Sequence, residues 1–98
     1  EVSCSDVSGE AIKIKDCNVT SNYVGDAHFQ GTAVAASQRG EIEIEGGTYT
    51  GLYAFTSLNG AVTPDGTITA TDVTFSGSID DVSKTGGDGI ISVNGEDF

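Results

Sequence analysis

Apolar and polar side chains alternate in four short stretches of this 98-residue chain, and each stretch is followed by a turn residue and one further apolar position. The common pattern is Gly-x-Ile-x-apolar-x-(Asp or Gly)-x-x-apolar. It covers residues 40–49, 66–75 and 89–98, and a degenerate copy, with Gly9 one residue early, covers residues 12–19. Alternation with a period of two is typical of a β-strand with one buried face. Each copy is therefore predicted to begin with such a strand.

The four copies can be aligned on their first isoleucine, at positions 12, 42, 68 and 91, so they follow one another at intervals of 30, 26 and 23 residues. Self-similarity at such periods indicates units that bury their apolar faces by stacking on their neighbours. The alignment predicts turns at Asp16, Gly46, Asp72 and Gly95, and bends at Ser21, Gly51 and Gly77. It also predicts a stacking core of three columns: Ile12, Ile42, Ile68 and Ile91; Ile14, Ile44, Ala70 and Val93; and Val19, Tyr49, Phe75 and Phe98.

The polar positions support a parallel stack in matched register. In the alignment, Lys13 and Lys15 fall opposite Glu43 and Glu45, and hydroxyl or amide side chains follow in the third and fourth copies: Thr69, Thr71, Ser92 and Asn94. Opposite charges on adjacent strands contribute roughly 0.2 to 1 kcal/mol per pair. An antiparallel hairpin does not predict this matching, although chance alternation of charges in any β protein is the alternative explanation.

These glycines, paired aliphatic residues and turn residues resemble the right-handed parallel β-helix family, the solenoid of pectate lyase-like enzymes, autotransporter passengers and phage tailspikes. The resemblance covers about residues 9–98 and implies an all-β solenoid of about four coils. It also implies an aliphatic ladder through Ile12, Ile42, Ile68 and Ile91, and an aromatic ladder through Tyr49, Phe75 and Phe98. Loops at residues 23–30 and 58–64 would extend the longer units. None of the family's catalytic motifs can be placed on this chain residue by residue.

An antiparallel β-sandwich of six or seven short strands is the competing fold, because turn signals at intervals of 8 to 12 residues also suit it. In either case the 98 residues form a single domain. In the solenoid, residues 1–8 are a covering segment and residues 9–98 are the repeats. Fourteen glycines and one proline favour short strands separated by turns.

The net charge of -11 would repel phosphate backbones and anionic lipid surfaces, so we expect neither nucleic acid nor membrane surfaces as partners. No apolar run approaches the roughly 18 residues of a membrane span, so insertion into a membrane is not expected either. Cys4 and Cys17 can form a disulfide in an oxidising compartment, with two buried thiols as the alternative. Asn18 begins an Asn-x-Thr glycosylation sequence, which indicates the same compartment. The expected location is extracellular or on a cell or virion surface.

Catalytic and metal-binding patterns are weak in this sequence. His28 is the only histidine, so neither a histidine-based metal cluster nor a convincing catalytic triad is predicted. Asp80, Asp81 and Asp88 are weak candidates for calcium ligands, because calcium prefers carboxylate oxygens, but their spacing matches no known calcium loop. A solvated turn is the simpler interpretation of these aspartates. No cofactor other than calcium is suggested, and no catalytic residue is assigned.

The repeat suggests a structural function. A stack of strands exposes unpaired backbone at both ends, and no helix is predicted to cover the end at Phe98. We therefore expect a non-enzymatic, secreted or surface-displayed subunit that self-associates through its strand edges into a filament, fibre or coat. The alternatives are a fragment of a β-helix protein that binds or degrades polysaccharides, with glycans as partners, and a β-sandwich adhesin or carbohydrate-binding module. Tyr23 and Tyr53 are the aromatic residues that could stack on sugars in the glycan-binding alternatives.

Overall fold

The chain is all-β, as predicted. The computed structural model describes residues 11–25, 31–59 and 64–98, together with the backbone of residues 2–5. Within this part of the chain there are ten strands and no α-helix. The strands are β1 Val2–Ser5, β2 Ile12–Thr20, β3 Thr32–Ser37, β4 Glu41–Gly51, β5 Tyr53–Leu58, β6 Thr67–Thr71, β7 Thr74–Gly77, β8 Val82–Lys84, β9 Ile90–Val93 and β10 Glu96–Asp97.

The strands form two sheets. Between successive copies of the repeat, the chain crosses from the six-stranded sheet to the four-stranded sheet and back. The four-stranded sheet has the order β1-β3-β5-β8, and the six-stranded sheet has the order β10-β9-β6-β4-β2, with β7 also pairing with β4. The strand pairs are parallel, apart from β9 and β10. Thus the antiparallel pairing of the competing prediction occurs, among the described residues, only between these two strands.

The predicted register of the repeats is confirmed. Ile12 pairs with Ile42, which pairs with Ile68, and Ile68 pairs with Ile91. The second column is paired in the same way, through Ile14, Ile44, Ala70 and Val93. The polar columns also match the alignment: Lys13 with Glu43, Lys15 with Glu45, Glu43 with Thr69, Glu45 with Thr71, and Thr69 with Ser92.

The predicted turn positions adopt left-handed backbone conformations. Asp16 and Asp72 have φ angles of 50° and 56°, and Gly46 and Gly95 have φ angles of 76° and 84°. Asp and Asn tolerate this region better than other residues with a Cβ atom, and glycine enters it without steric cost. The six-stranded sheet therefore bends at the same point in each repeat.

The apolar core lies between the two sheets. From the six-stranded sheet it includes Ile42, Ile44, Ile68, Ile91 and Val93, all at most 3% exposed. The four-stranded sheet contributes a set that the alternation did not predict. Residues 32–36 of β3 and 54–57 of β5 are buried without interruption. The buried hydroxyl groups of Thr32 and Thr56 share a hydrogen bond, and Ser57 donates one to the carbonyl of Gly66, so these polar groups are paired.

The aromatic column differs from the ladder that the resemblance implied. Tyr49 is fully buried and pairs in register with Phe75. However, Phe55 of the four-stranded sheet contacts both rings, at centroid distances of 5.6 Å to Tyr49 and 5.8 Å to Phe75. Phe98 lies edge-on to Phe75 at 6.2 Å and is 40% exposed. The predicted column is thus formed from Val19 through Tyr49 to Phe75, Phe98 contacts Phe75 without pairing in that register, and Phe55 adds a link to the other sheet.

The glycine that precedes a repeat allows the two sheets to approach each other closely. A Cβ atom at Gly66 would lie 2.0 Å from the main-chain carbon and oxygen of Ala36 in β3. One at Gly89 would lie 2.2 Å from the Oγ of Ser57 in β5. Both distances are far below van der Waals contact, so any larger residue would push the sheets apart.

The end strands modify two of the sequence-based expectations. Within the predicted covering segment, Val2–Ser5 forms β1 and pairs with β3. The expectation of an uncovered edge near Phe98 is wrong in part, because β10 folds back antiparallel on β9 and pairs with two of its four residues. Most of the predicted loops at 23–30 and 58–64, and His28, lie outside the described residues, and Leu58 still belongs to β5. No helix in the described part of the chain has the length and hydropathy needed to cross a membrane.

Candidate functional site

The edges of the sheets are the strongest candidate sites. β2 is the last strand of the six-stranded sheet and extends over nine residues. In the described part of the chain no strand pairs with its outer side, which makes this edge a candidate for pairing with another strand. Its exposed Lys13 and Lys15 are two of only four basic residues in the sequence. Ile12 and Val19 are only partly buried where they pack against the core.

The opposite edge of this sheet is acidic and covered by a short hairpin. Glu96 pairs with Val93 and Asp97 with Ser92, and both acidic residues are exposed. The backbone N–H of Phe98 donates to the carbonyl of Ile91 at 2.9 Å. Lys84 of β8 donates to the main-chain oxygen of Phe98 at 2.8 Å, which holds this segment against the neighbouring sheet. Charged residues on a short edge strand are a common protection against unwanted strand pairing.

The two sheets contain the same number of parallel levels. The strands β1, β3, β5 and β8 alternate along the chain with β2, β4, the β6–β7 pair and β9, so each sheet has four levels. At one end of the stack the outermost parallel strands are β1 and β2, and at the other end they are β8 and β9, with β10 folded back on β9. Each sheet therefore has one terminal edge at each end of the stack.

The polar columns of the six-stranded sheet line an open pocket of about 550 Å³. Its walls carry Lys13 and Lys15 beside Glu43 and Glu45, and the Nζ of Lys13 lies 4.0 Å from the Oε2 of Glu43. The basic and acidic rows therefore neutralise each other across this face.

A second, smaller open pocket of about 280 Å³ lies beyond the end of β2. Its lining residues include Thr20, Thr50 and Ser78, with the partly exposed ring of Tyr23, and none of the lining residues is charged. Thr50 Oγ1 donates to Thr20 Oγ1 at 3.2 Å, and Ser76 follows in the same column. Tyr53, the other tyrosine considered for sugar stacking, is partly buried on β5.

The three candidate calcium ligands do not converge in the structure. Asp80 Oδ1 accepts the N–H of Asp81 at 2.8 Å, and Asp81 Oδ1 accepts the N–H of Gly77 at 2.9 Å. Asp88 lies elsewhere, where its N–H donates to the carboxylate of Asp65 at 3.3 Å. No group of three or more potential metal ligands occurs among the residues that the structure describes. The Asp80 and Asp81 carboxylates serve as turn acceptors.

The corner of the first two repeats places Cys17 beside Tyr49. Cys17 is an exposed free thiol whose Sγ donates to the carbonyl of Lys15 at 3.3 Å, and the side chain of Cys4 lies outside the described part of the chain. The disulfide therefore remains a prediction. Asn18 is exposed on β2, and its glycosylation also remains a prediction. Tyr49 donates to the carbonyl of Gly46 at 2.8 Å. Burial raises the pKa of the Tyr49 phenol above 10.0, and the nearby Cys17 and Asp16 raise it further.

The sequence contained a signal for β10 that the repeat alignment concealed. Asn94 and Gly95 both have positive φ angles, 51° and 84°, and connect β9 to β10 through a two-residue turn. Asn-Gly is a strong signal for a hairpin of this kind. In the alignment Gly95 is only the turn of a fourth parallel unit, so the return of Glu96 and Asp97 was missed.

The chain matches no protein-family model, no curated protein and no solved structure.

Proposed function

We propose that the chain is a short right-handed parallel β-helix that serves as a non-enzymatic structural subunit, on a cell or virion surface or outside the cell, and that it self-associates through its strand edges. The observation that carries the proposal is that both sheets end in edge strands at both ends of the stack, β1 and β2 at one end, and β8 and β9 with its short cover β10 at the other. The strands at one end can pair with those at the other when two copies meet head to tail. Such a contact joins unlike surfaces, and repeated head-to-tail contacts of this kind generate open filaments when they do not close into a ring.

The charges at the two ends favour the same contact. Lys13 and Lys15 lie on the open edge of β2, whereas Glu96 and Asp97 lie beyond β9 at the other end. A head-to-tail contact brings these two lysines, which already lie beside Glu43 and Glu45, towards the acidic end of the next copy. Contact between two identical ends would instead bring like charges together.

Sedimentation velocity and negative-stain electron microscopy on a dilution series test the proposal. We expect species that grow with protein concentration, and filaments with an axial repeat of about 19 Å, equal to four strands at about 4.8 Å each. A compact monomer at every concentration and ionic strength, including millimolar protein, would contradict the proposed function.

A second candidate function, binding of a neutral glycan, is favoured by the pocket beside Tyr23. The exposed tyrosine ring and the uncharged threonine and serine side chains offer a stacking surface and hydroxyl groups to a sugar. Titration of the 15N-labelled protein with cellohexaose and mannohexaose should shift the amide signals of Thr20, Tyr23 and Thr50. Tyr23→Ala should abolish these shifts and Tyr23→Phe should keep them. Equal shifts with hexagalacturonate, or none with any of these sugars, would exclude this candidate.

A further inference from the structure

We propose that β10 is a displaceable cover, and that β2 of a second copy replaces it on the outer edge of β9, parallel and in the register of the repeats. This inference rests on the proposed self-association and specifies its geometry. In this register Ile12 of the second copy lies opposite Ile91, and Ile14 of the second copy lies opposite Val93. The contact thus continues the two buried columns of the six-stranded sheet.

The outer edge of β9 is suited to a longer partner than β10. On its inner side β9 pairs with β6 through four residues, from Ile90 to Val93. On its outer side β10 pairs with only two of them, Ser92 and Val93, and runs in the opposite direction. A parallel strand such as β2 can pair along the whole of β9, as β6 does. Replacement of β10 by β2 therefore increases the number of paired backbone groups at this edge.

β2 has the side chains that this edge requires. It belongs to the same repeat, so its apolar residues match the buried side of β9, and Ile12 and Val19 are only partly buried in the isolated chain. On the outer face, Lys13 of the second copy would lie opposite Ser92. The hydroxyl row of β6 lies between the acidic row of β4 and β9, because Glu43 pairs with Thr69 and Thr69 with Ser92. The incoming lysine therefore lies beside the hydroxyl group of Ser92 and not beside another basic side chain.

The four-stranded sheet accepts the same contact. Its column of paired residues runs from Val2 through Val34 and Phe55 to Val82. If a second copy continues this column across the open edge of β8, its Val2 pairs with Val82 and its Ser3 pairs with Ser83. A single head-to-tail step therefore places β1 of the second copy on β8 and β2 of the second copy on β9. Both sheets then become continuous, because β1 and β2 are the terminal parallel strands at one end of the stack and β8 and β9 are those at the other.

The cover is held by a small number of contacts. Its attachments are the two-residue pairing with β9, the bond from Phe98 to Ile91, the bond from Lys84 to Phe98, and the edge-on contact of Phe98 with Phe75. The turn before it is held separately, by hydrogen bonds of Asn94 to the main chain of Val73 and Ala70. All residues from Asn94 to the last are exposed. Segments with few buried contacts open at a low free-energy cost. Assembly is thus limited by the fraction of molecules in which β10 has left β9.

Gly95 provides a substitution that opens the cover without altering the strands. It has a φ of 84°, and a Cβ atom at this position would meet nothing within 4 Å. Gly95→Val therefore acts through the backbone alone, because a β-branched residue strongly disfavours this conformation. Gly87→Val is the matched control, since Gly87 also has no atom within 4 Å of an added Cβ and does not have a positive φ. Lys84→Ala loosens Phe98 without any change to the turn.

Sedimentation velocity compares these variants with the unmodified chain. We expect Gly95→Val to lower the protein concentration required for half-maximal assembly by about tenfold or more, and Lys84→Ala to lower it less, since both raise the population of the open state. Gly87→Val should leave it unchanged. Circular dichroism establishes that each variant keeps its strand content, and Lys84→Ala retains the test if Gly95→Val does not fold. Equal assembly of all four proteins would overturn the role of β10 as a cover.

Cross-linking of two differently marked chains tests the register. In a background with Cys4→Ser and Cys17→Ser, a chain carrying Ser92→Cys is mixed with a chain carrying Lys13→Cys and then oxidised. We expect an intermolecular disulfide between them, increased by Gly95→Val. A chain carrying Glu43→Cys, on the same face but in an interior strand, is the control and should not cross-link. Assembly without the 92–13 cross-link would overturn this inference and leave the proposed self-association intact. Failure of every variant to assemble would overturn both.

Discussion

Lys13 of β2 lies directly opposite Glu43 of β4, with 4.0 Å between its Nζ and the carboxylate Oε2. The two side chains are largely exposed, at 73% and 60%, so solvent screens their attraction. Alignment of the repeats by sequence alone also predicts that they face each other. Their pairing therefore reports the register of the two strands more than it stabilises the fold.

Reversing the charge at position 13 tests how much the Lys13–Glu43 ion pair contributes to the free energy of unfolding. We expect Lys13→Glu to lower the free energy of unfolding by up to about 1 kcal/mol, because like charges then face each other. The double variant Lys13→Glu, Glu43→Lys should recover most of the loss. Urea unfolding of the unmodified chain, Lys13→Glu, Glu43→Lys and the double variant completes a double-mutant cycle. The coupling energy between the two positions should fall in 1 M salt. A coupling energy of zero at low salt would show that these side chains do not meet in solution.

Gly66 should tolerate no side chain, because a Cβ atom there would lie 2.0 Å from the main chain of Ala36. We expect Gly66→Ala to destabilise the protein by about 1 to 3 kcal/mol or more, as overpacking of a close contact does. Gly87→Ala is the control, and it should be neutral or slightly stabilising. Thermal and urea unfolding provide the comparison. Equal stability of the two variants would contradict the close approach of the sheets at Gly66.

Phe55 should be the aromatic residue on which stability depends most. It is fully buried and contacts the rings of both Tyr49 and Phe75. We expect Phe55→Ala to lower the unfolding free energy by about 3 to 5 kcal/mol, which is a large part of the stability of a small domain. Ile79→Ala should change it by less than about 0.5 kcal/mol, since Ile79 is 53% exposed. A similar small effect at both positions in urea unfolding would place Phe55 outside the core.

Tyr49 should make the protein sensitive to alkaline pH. Burial, Cys17 and Asp16 raise its pKa above 10.0 in the folded state. The phenol is neutral in both states at lower pH, so it adds no pH dependence there. As pH rises above 10.0, the unfolded chain loses this proton while the folded chain keeps it, and stability falls until the folded pKa is reached.

The free energy of unfolding, measured from pH 8 to pH 11, detects the pH dependence that Tyr49 contributes. We expect a steeper loss of stability above pH 10 for the unmodified chain than for Tyr49→Phe, which has no ionisable group at this position. Tyr49→Phe also loses the hydrogen bond to Gly46, so the comparison depends on the slope with pH and not on the absolute stability. Tyr53→Phe controls for the general effect of removing a tyrosine. Identical slopes for the unmodified chain and Tyr49→Phe would refute the raised pKa.

The register of the six-stranded sheet could be predicted because its polar face is exposed and its inner face is buried. That difference produces the alternation of residues such as Ile42 and Glu43, and the same columns recur in each repeat. The four-stranded sheet lacks this signal. Residues 32–36 are buried in succession and consist of small or β-branched side chains, so no alternation marks their inner face. The contact of Phe55 with Tyr49 joins two sheets and cannot be derived from columns within one.

The candidate edges were predictable in part. The positions of Lys13 and Lys15 in the repeat follow from the sequence, whereas the identity of β2 as an outer strand depends on the strand order, which only the structure provides. β10 was missed because two local signals compete at Asn94-Gly95. The repeat predicts a continued parallel unit there, while the turn chemistry of the dipeptide predicts a return, and the return is the conformation of the isolated chain.

The parallel pairing of strands roughly one repeat apart has a consequence for the order in which the molecule gains structure. β4 pairs with β2 on one side and with β6 and β7 on the other, whereas β2 and β8 have one neighbour each among the described strands. The central strand can be completed only after both adjacent segments have been synthesised and brought together. Its amide hydrogens should then be the slowest to exchange with solvent, and those of the outer strands the fastest. Folding would spread from the middle of the stack towards its two ends, leaving the surfaces available to other chains as the last to form.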